Sequence, residues 1–300
     1  MSIHILLFYK YVPIENPRDF REEHILVCKE IGLRGRILVA QEGINGSVSG
    51  TQEQTEQYKS FIRSDSRFAD IIFKEETGIS NPFKKMAVKV KKEIVNFGVA
   101  VNLDNTGEHI TPKEFLDIYN LNDDVLIVDA RNEYESHVGK FKGAITLPIQ
   151  TFREFPKKAL EILGDKKDKK IVMYCTGGIR CEKASAYLKE NGFKDVSQLN
   201  GGILTFGKEF PDSVWEGKCF VFDKRMTSSV NKEEKPVTHC ELCDMPCDLY
   251  KNCANTNCDR YCTVCISCEQ MFGGCCSQTC FKERCNSLQN IGKSEIPYSC

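Results

Sequence analysis

The segment YCTGGIRCEK, residues 174–183, carries two cysteines and an arginine directly after the apolar run IVM. The run predicts a buried strand, so Cys175 would lie at its carboxyl end, where parallel sheets place their chemistry. Gly177 and Gly178 can adopt backbone conformations that let successive N–H groups converge on an anion. The N-terminus of the following helix and Arg180 add positive potential, which favours a thiolate, the form that attacks. We therefore predict Cys175 as a catalytic nucleophile assisted by Arg180, with an inert buried cysteine as the alternative.

The loop between these two residues is short, since Arg180 follows Cys175 after only four positions. Cysteine phosphatases use a longer loop, and a smaller cradle suits a sulfur atom better than a phosphoryl group, which argues against phosphatase activity. The residues predicted to bind substrate around the nucleophile are Thr176, Gly177, Gly178 and Ile179.

Cys181 is a further candidate catalytic residue next to this loop. It can be a second redox thiol beside Cys175 or a helix-capping residue that happens to carry sulfur. Its position inside the predicted helix suggests that its sulfur points away from the centre of the loop.

Most of the 17 cysteines lie close to the C-terminus, where few aliphatic residues are available to form a core. Cysteine pairs separated by two to four residues can bind one tetrahedral metal ion, and repeated pairs predict two zinc sites whose binding energy would fold the segment. An iron–sulfur cluster and a disulfide framework are the alternatives, and His239 could replace one thiolate. The predicted ligands are Cys240, Cys243, Cys253, Cys258, Cys265, Cys268, Cys276 and Cys280.

Composition is that of an ordinary globular protein. The 300 residues are 41% hydrophobic and 28% charged with a net charge of −1, so no global basic character points to nucleic acid, and DNA is not an expected partner. We find no transmembrane span and no secretory leader and expect a cytoplasmic protein. In that reducing compartment cysteines serve metal binding or catalysis more often than disulfides.

The element pattern predicts an α/β protein of three units. Residues 1–78 read β-α-β-β-α-β, the order of a ferredoxin-like or acylphosphatase-like α+β sandwich, and 79–110 form a lysine-rich connecting strand and linker. Residues 111–217 alternate strands and helices, which predicts a parallel-sheet α/β domain. Residues 218–300 form the cysteine-rich, metal-binding tail.

Two polar surfaces are candidates for contacting RNA. The lysines of the connecting strand either form a solvated face or bind a polyanion. The glycine-rich motif AQEGINGSVSG is either a simple hairpin or displays polar side chains that contact a substrate RNA. The candidate RNA-binding residues are Lys84, Lys85, Lys89, Lys91, Lys92, Gln41, Glu42 and Asn45.

These motifs resemble a known family. The loop IVMYCTGGIRCEKA, with LIVDARNEYESHVGKFKGAITLPI and LNGGI, is similar to rhodanese domains, whose loop cysteine forms a persulfide. The segments GRILVAQEGINGSVSG and KVKKEIVNFG and the cysteine tail extend the resemblance, from about Phe8 to Cys280, to the TrhO-type tRNA uridine 5-hydroxylases.

The resemblance implies an oxidoreductase that hydroxylates the wobble uridine (position 34) of tRNA at carbon 5, with tRNA as partner and molecular oxygen as co-substrate. The loop chemistry alone also allows a thiosulfate or persulfide sulfurtransferase, and a non-enzymatic RNA-binding module is a third reading. We find no flavin, haem or non-haem iron motif in the sequence, so it predicts no electron donor, and it predicts no oligomeric state.

Overall fold

The computed structural model describes residues 2–121, 124–233 and 235–291, the side chains of 289–291 excepted. The N-terminal unit is one sheet with two helices on one face. Its elements are β1 (Ile3–Tyr11), α1 (Pro17–Ile31), β2 (Arg34–Ala40), β3 (Gly43–Gly50), α2 (Gln52–Ser64), β4 (Phe73–Gly78) and β5 (Met86–Val90). The strands lie in the order β4-β1-β3-β2-β5, antiparallel except for the β2–β5 pair.

This arrangement confirms the predicted acylphosphatase-like sandwich. Helix α1 has Pro17 in its first turn and ends at Gly32, whose φ of +85° suits glycine. Helix α2 begins with the capping box of Thr51 and Gln54, as the sequence predicts. The lysine-rich segment differs from a simple connector, because it adds β5 to the same sheet.

Alternation along β1 gives this sheet two buried faces. Leu6 and Phe8 pack in the core under the two helices. Leu7 lies on the opposite face and packs against the core of the central domain. The N-terminal sheet therefore covers part of the central domain with the face that carries no helix.

The central unit is the predicted parallel-sheet α/β domain. Its elements are β6 (Glu108–Ile110), α3 (Pro112–Leu121), β7 (Leu126–Asp129), α4 (Glu133–Val138), β8 (Gly139–Phe141), β9 (Ile145–Thr146), α5 (Phe155–Leu163), β10 (Lys170–Tyr174), α6 (Ile179–Glu190), β11 (Asp195–Leu199), α7 (Gly202–Glu209) and β12 (Trp215–Gly217). Five strands lie parallel in the order β6-β11-β10-β7-β9, and β8 pairs with β12 in a separate antiparallel ribbon.

Helices cover both faces of this sheet. Leu163 of α5 and Leu188 of α6 pack on one face, while Phe115 of α3 and Phe206 of α7 pack on the other. The strand β10 is buried on both faces, which explains its continuous apolar run.

The C-terminal unit has little regular structure. It contains β13 (Cys219–Phe220), β14 (Thr227–Ser228), β15 (Tyr250–Asn252), β16 (Tyr261–Thr263), α8 (Ile266–Met271) and α9 (Gln278–Ile291). Its interior is a cluster made mainly of cysteines, in which Val264 is the one fully buried aliphatic residue. Within the described parts of the chain, no helix has the length and apolar character needed to cross a membrane.

Candidate active site

The loop that carries Cys175 joins β10 to α6. Gly178 has a φ of +103° and donates its N–H to the Cys175 sulfur at 3.1 Å. A Cβ atom on Gly178 would lie 2.9 Å from the Tyr9 hydroxyl oxygen of the N-terminal domain. Glycine is therefore required here both by the backbone conformation and by the close approach of β1.

Cys175 is fully buried within this loop. Burial by itself raises the pKa of a thiol, but a hydrogen bond from the Cys181 thiol, the charge of Arg180 and the N–H groups of Arg180 and Gly178 oppose it. Their sum lowers the pKa of Cys175 to about 5. At neutral pH the residue is thus a thiolate, which is the nucleophilic form.

Arg180 is held by a carboxylate that the sequence reading did not single out. Its guanidinium donates to both oxygens of Glu135 on α4, at 2.5 and 2.8 Å, and lies 3.4 Å from Thr176 Oγ1. Burial lowers the pKa of Arg180, but the charges of Glu135 and Cys175 raise it well above its ordinary value. The pair fixes a permanent cation beside the thiolate. Its only sequence signal is the capping box that Glu135 forms with Asn132 at the start of α4.

Cys181 is the third residue of α6 and is also buried. Burial and the hydrogen bond to Cys175 raise its pKa well above the ordinary value, so it is a neutral donor. The expectation that its sulfur points away from the loop is wrong. Helical side chains lean towards the helix N-terminus, which brings this thiol back over the Cys175 loop.

A cleft of about 760 Å³ opens from this loop towards the N-terminal sheet. Cys175 lines it together with three of the four predicted loop residues, Thr176, Gly177 and Ile179. The fourth, Gly178, lies behind them and contacts the sulfur. Five cationic residues also line the cleft: Arg36, Lys91, Lys92, Arg153 and Arg180. Six aromatic residues do so as well: Phe8, Tyr9, Phe83, Tyr134, Phe152 and Phe222.

The lysine-rich segment lies beside the entrance of this cleft. Its five lysines, Lys84, Lys85, Lys89, Lys91 and Lys92, are exposed, and none forms an ion pair with another described residue. A second, more open groove contains Lys89 and Lys91 of this segment with Arg18 and Arg21 of α1. Lys91 lines both the groove and the cleft, so the segment connects the two with basic side chains.

The polar residues of the β2–β3 hairpin differ in their surroundings. Gln41 is exposed, whereas Glu42 accepts the Ile94 N–H at 2.7 Å and pairs with Lys183 of α6. Asn45 donates to the Ile94 carbonyl at 2.8 Å and lines the cleft. The Glu42–Lys183 pair ties the two domains together, a role that the sequence reading did not anticipate.

The eight predicted tail ligands form two groups of four. Within each group the sulfur atoms lie within 4.8 Å of one another: Cys240, Cys243, Cys265 and Cys268 in the first, Cys253, Cys258, Cys276 and Cys280 in the second. The groups are interleaved, because each takes alternate pairs along the chain. His239 belongs to neither group, so its suggested role as a substitute ligand is wrong.

Sulfur spacing in both groups fits a tetrahedral metal ion. A Zn–S distance of about 2.3 Å places two tetrahedral sulfurs about 3.8 Å apart. The Cys243–Cys265 and Cys258–Cys276 sulfur pairs are separated by 3.7 and 3.9 Å. Backbone N–H groups also donate to the sulfurs of Cys240 and Cys253, as expected of thiolate ligands. Both groups could therefore hold a metal ion.

Together, fold and site define a rhodanese-type domain with a buried cysteine in its β10–α6 loop, set between an acylphosphatase-like domain and a cysteine-rich tail. Family models agree with this division. The UPF0176 acylphosphatase like domain matches residues 3–94, the rhodanese-like domain 111–209 and the rhodanase C-terminal model 216–281.

Curated relatives extend the match over most of the chain. A tRNA uridine(34) hydroxylase of Bacillus pumilus is 46% identical over 97% of this chain and 93% of its own length. One from Bacillus licheniformis is 47% identical over 85% of this chain and 81% of its own. The solved rhodanese-like domain of an Anabaena protein is 19% identical over 37% of this chain and 80% of its own, with a TM-score of 0.31. The chain belongs to the tRNA uridine(34) hydroxylase family.

Proposed function

We propose that this chain is an oxidoreductase that hydroxylates uridine 34 of tRNA at carbon 5, with Cys175 as its catalytic nucleophile. The observation that carries the proposal is a Cys175 thiolate on the wall of a basic cleft of about 760 Å³. That volume falls within the range of pockets that enclose a small ligand such as one nucleotide. Membership of the tRNA uridine(34) hydroxylase family supports the reaction, and the cleft beside Cys175 can accommodate the nucleotide.

Single-stranded RNA loops are recognised through unstacked bases that pack on aromatic or arginine side chains. Phe222, Tyr134 and Phe83 offer such surfaces in the cleft, and the Arg180 guanidinium lies 5.8 Å from the Phe222 ring. We assign the base of uridine 34 to this cleft. Thr176, Gly177 and Ile179 form the part of its wall nearest the reacting carbon, and Gly178 supports Cys175 from behind them.

The basic surface outside the cleft is the proposed site of the tRNA backbone. The five exposed lysines of residues 84–92 can neutralise phosphates on either side of the bound nucleotide. Gln41 and Asn45 extend this surface along the β2–β3 hairpin, and Glu42 orders the hairpin through its contact with Lys183.

Hydroxylation by molecular oxygen inserts one oxygen atom into the carbon–hydrogen bond and reduces the other to water, which consumes two electrons and two protons. Oxidation of the Cys175 thiolate and the Cys181 thiol to a disulfide releases two electrons and one proton. The hydrogen-bonded pair is placed to supply these, water supplies the second proton, and a cellular thiol reductant restores the pair. In this scheme Cys181 is a redox residue.

The tail is proposed to bind two zinc ions, one in each group of four cysteines. Zinc would supply the folding energy that this segment cannot gain from aliphatic burial. A thiolate set of this kind has no open position, so the metal would act as a structural element and not as the site of the reaction. We place the protein in the cytoplasm, where its tRNA substrate is found.

The direct test is nucleoside analysis of tRNA from cells that lack the protein. Loss of 5-hydroxyuridine and its derivatives at position 34, restored by a plasmid copy, supports the proposal. Unchanged modification together with measurable sulfur transfer from thiosulfate to cyanide by the purified protein would favour the sulfurtransferase instead.

A further inference from the structure

Lys74 brings a side chain of the N-terminal domain to the Cys175 loop. It lies on β4 opposite Leu7 of β1, on the sheet face that covers the central domain. A Cβ atom on Gly177 would lie 3.8 Å from Lys74 Cδ and 2.9 Å from Leu7 Cδ2. Lys74 also borders a small cavity of about 70 Å³ that Thr176 and Phe222 line from the other side. The lysine therefore packs directly beneath the loop.

Lys74 is half-buried, and its surroundings differ from those of the buried cations. Arg131, Arg180, Lys59 and Lys183 each form an ion pair with at least one carboxylate. Among the described residues, Lys74 has no carboxylate within ion-pair distance, and its ammonium group instead lies 5.0 Å from the centre of the Tyr9 ring. Placing a cation in such a site is costly unless a nearby anion compensates for the lost solvation.

The anions close enough to interact with Lys74 are the Cys175 thiolate and Glu182. Burial lowers the pKa of Lys74 to about 8, and the charges of Cys175 and Glu182 act in the opposite direction. The Glu182 carboxylate is already occupied by hydrogen bonds with Tyr9, His109 and Gln198. Cys175 is therefore the anion that remains for the ammonium group to stabilise. The other ionisable groups around the small cavity are Glu76, Asp223 and Arg225, which pair with one another.

We propose that Lys74 is a positioning residue of the active site, whose ammonium group stabilises the Cys175 thiolate from the N-terminal domain. Arg180 acts from within the loop and Lys74 from across the domain boundary. The inference deepens the proposed function and rests on it for its purpose, but the thiolate can be measured without tRNA. Through Lys74, the acylphosphatase-like domain would then stabilise the catalytic thiolate in addition to binding substrate.

The test is the pH dependence of Cys175 alkylation in the full-length, metal-loaded protein. Trypsin cleaves after Lys170 and Arg180, so residues 171–180 form a peptide in which Cys175 is the single cysteine, and Cys181 falls in the next peptide. Brief pulses of iodoacetamide between pH 4 and 9, normalised to each variant's plateau, give an apparent pKa that does not depend on reagent access. Wild type is compared with Lys74→Met, Lys74→Arg and the exposed control Lys29→Met.

We expect Lys74→Met to raise the apparent pKa of Cys175 by about one, the lower end of the effect of a nearby opposite charge. Lys74→Arg should restore most of the wild-type value, and Lys29→Met should have no effect. An unchanged profile in Lys74→Met overturns the proposal. An equal rise in Lys74→Met and Lys74→Arg also overturns it, because packing and not charge would then set the pKa. Failure of tRNA hydroxylation in wild type would refute the proposed function and leave this result standing.

Discussion

The Cys175 loop and the tail use the same element, cysteine sulfur, in opposite ways. In the loop one sulfur carries a charge that an arginine, backbone N–H groups and a neighbouring thiol stabilise. In the tail eight sulfurs gather in two groups of four, and a metal ion would relieve their mutual repulsion as thiolates. The difference teaches that fixed cationic and N–H partners favour a single reactive thiolate, whereas four cysteine sulfurs gathered together favour the binding of a metal ion.

The largest expected effect is on chemistry in the loop. Cys175→Ser should reduce 5-hydroxyuridine formation by about a thousandfold or more, because a hydroxyl cannot ionise where a thiol does. Folding and tRNA affinity should change little, since serine has nearly the same shape. The measurement is mass spectrometry of tRNA nucleosides from cells carrying the variant as their sole copy.

A matched control is Cys28→Ala, since Cys28 is buried in the N-terminal core, where burial raises its pKa to about 12. The Cys28→Ala variant should form 5-hydroxyuridine at the wild-type level. The proposed redox scheme predicts that Cys181→Ser loses hydroxylation as completely as Cys175→Ser. Partial activity would instead mean that the Cys181 thiol only donates a hydrogen bond to Cys175.

The second effect is on metal content in the tail. Cys265→Ser removes one ligand of the first group, so bound zinc should fall from about two ions per chain to about one. The tail should then become sensitive to proteolysis while the central domain remains protected. Elemental analysis and limited digestion measure both.

Cys262→Ala is the control here, because Cys262 is buried in the same cluster but belongs to neither group. It should retain about two ions. An ordered tail in protein free of any metal would refute the comparison between the two regions.

The sequence predicts only some of the residues that surround Cys175. Cys175 and Arg180 are separated by four residues, so one strand–loop–helix motif places both, and the pattern predicts it. Glu135 and Lys74 come from distant segments, and only the tertiary fold brings them to the loop. No periodicity or spacing signals such contacts.

In the tail, spacing predicts which eight cysteines come together but not their grouping. Short pairs such as Cys240 and Cys243 fall in the same group because the chain between them is short. Which second pair completes the site depends on the path of the intervening chain. The interleaved order found here, Cys240 with Cys265 and Cys253 with Cys276, is one of several that the spacing allowed.

A smaller effect should separate substrate binding from chemistry. Replacing Lys89, Lys91 and Lys92 with alanine should weaken tRNA binding and reduce its dependence on salt, by up to about one unit of log–log slope per lost phosphate contact. Filter binding or anisotropy at several salt concentrations measures this. The matched triple variant of Lys113, Lys157 and Lys194, which are exposed on the central domain, should leave both values unchanged. Equal weakening by both triple variants would contradict a specific basic surface.

A further effect is on the pH dependence of stability. The pKa of Cys175 is lowered to about 5 in the folded protein, below the thiol value of about 8.5 in an unfolded chain. A lowered folded pKa stabilises the protein fully above the unfolded pKa, and this contribution is lost as the pH falls through about 5. The free energy of unfolding of wild type relative to Cys175→Ser should therefore decrease between pH 8.5 and pH 5. A difference that is independent of pH would mean that Cys175 is not a thiolate in the folded protein.

The central claim is that Cys175 directs the insertion of oxygen into uridine 34. Cells that carry either wild type or Cys175→Ser as their sole copy can be grown briefly under isotopically heavy molecular oxygen. Mass spectrometry of their tRNA nucleosides then shows whether the heavy oxygen was incorporated. The account predicts heavy 5-hydroxyuridine with wild type and none with Cys175→Ser. Heavy product in the Cys175→Ser cells, or a wild-type product whose hydroxyl oxygen is light and so comes from water, would contradict it.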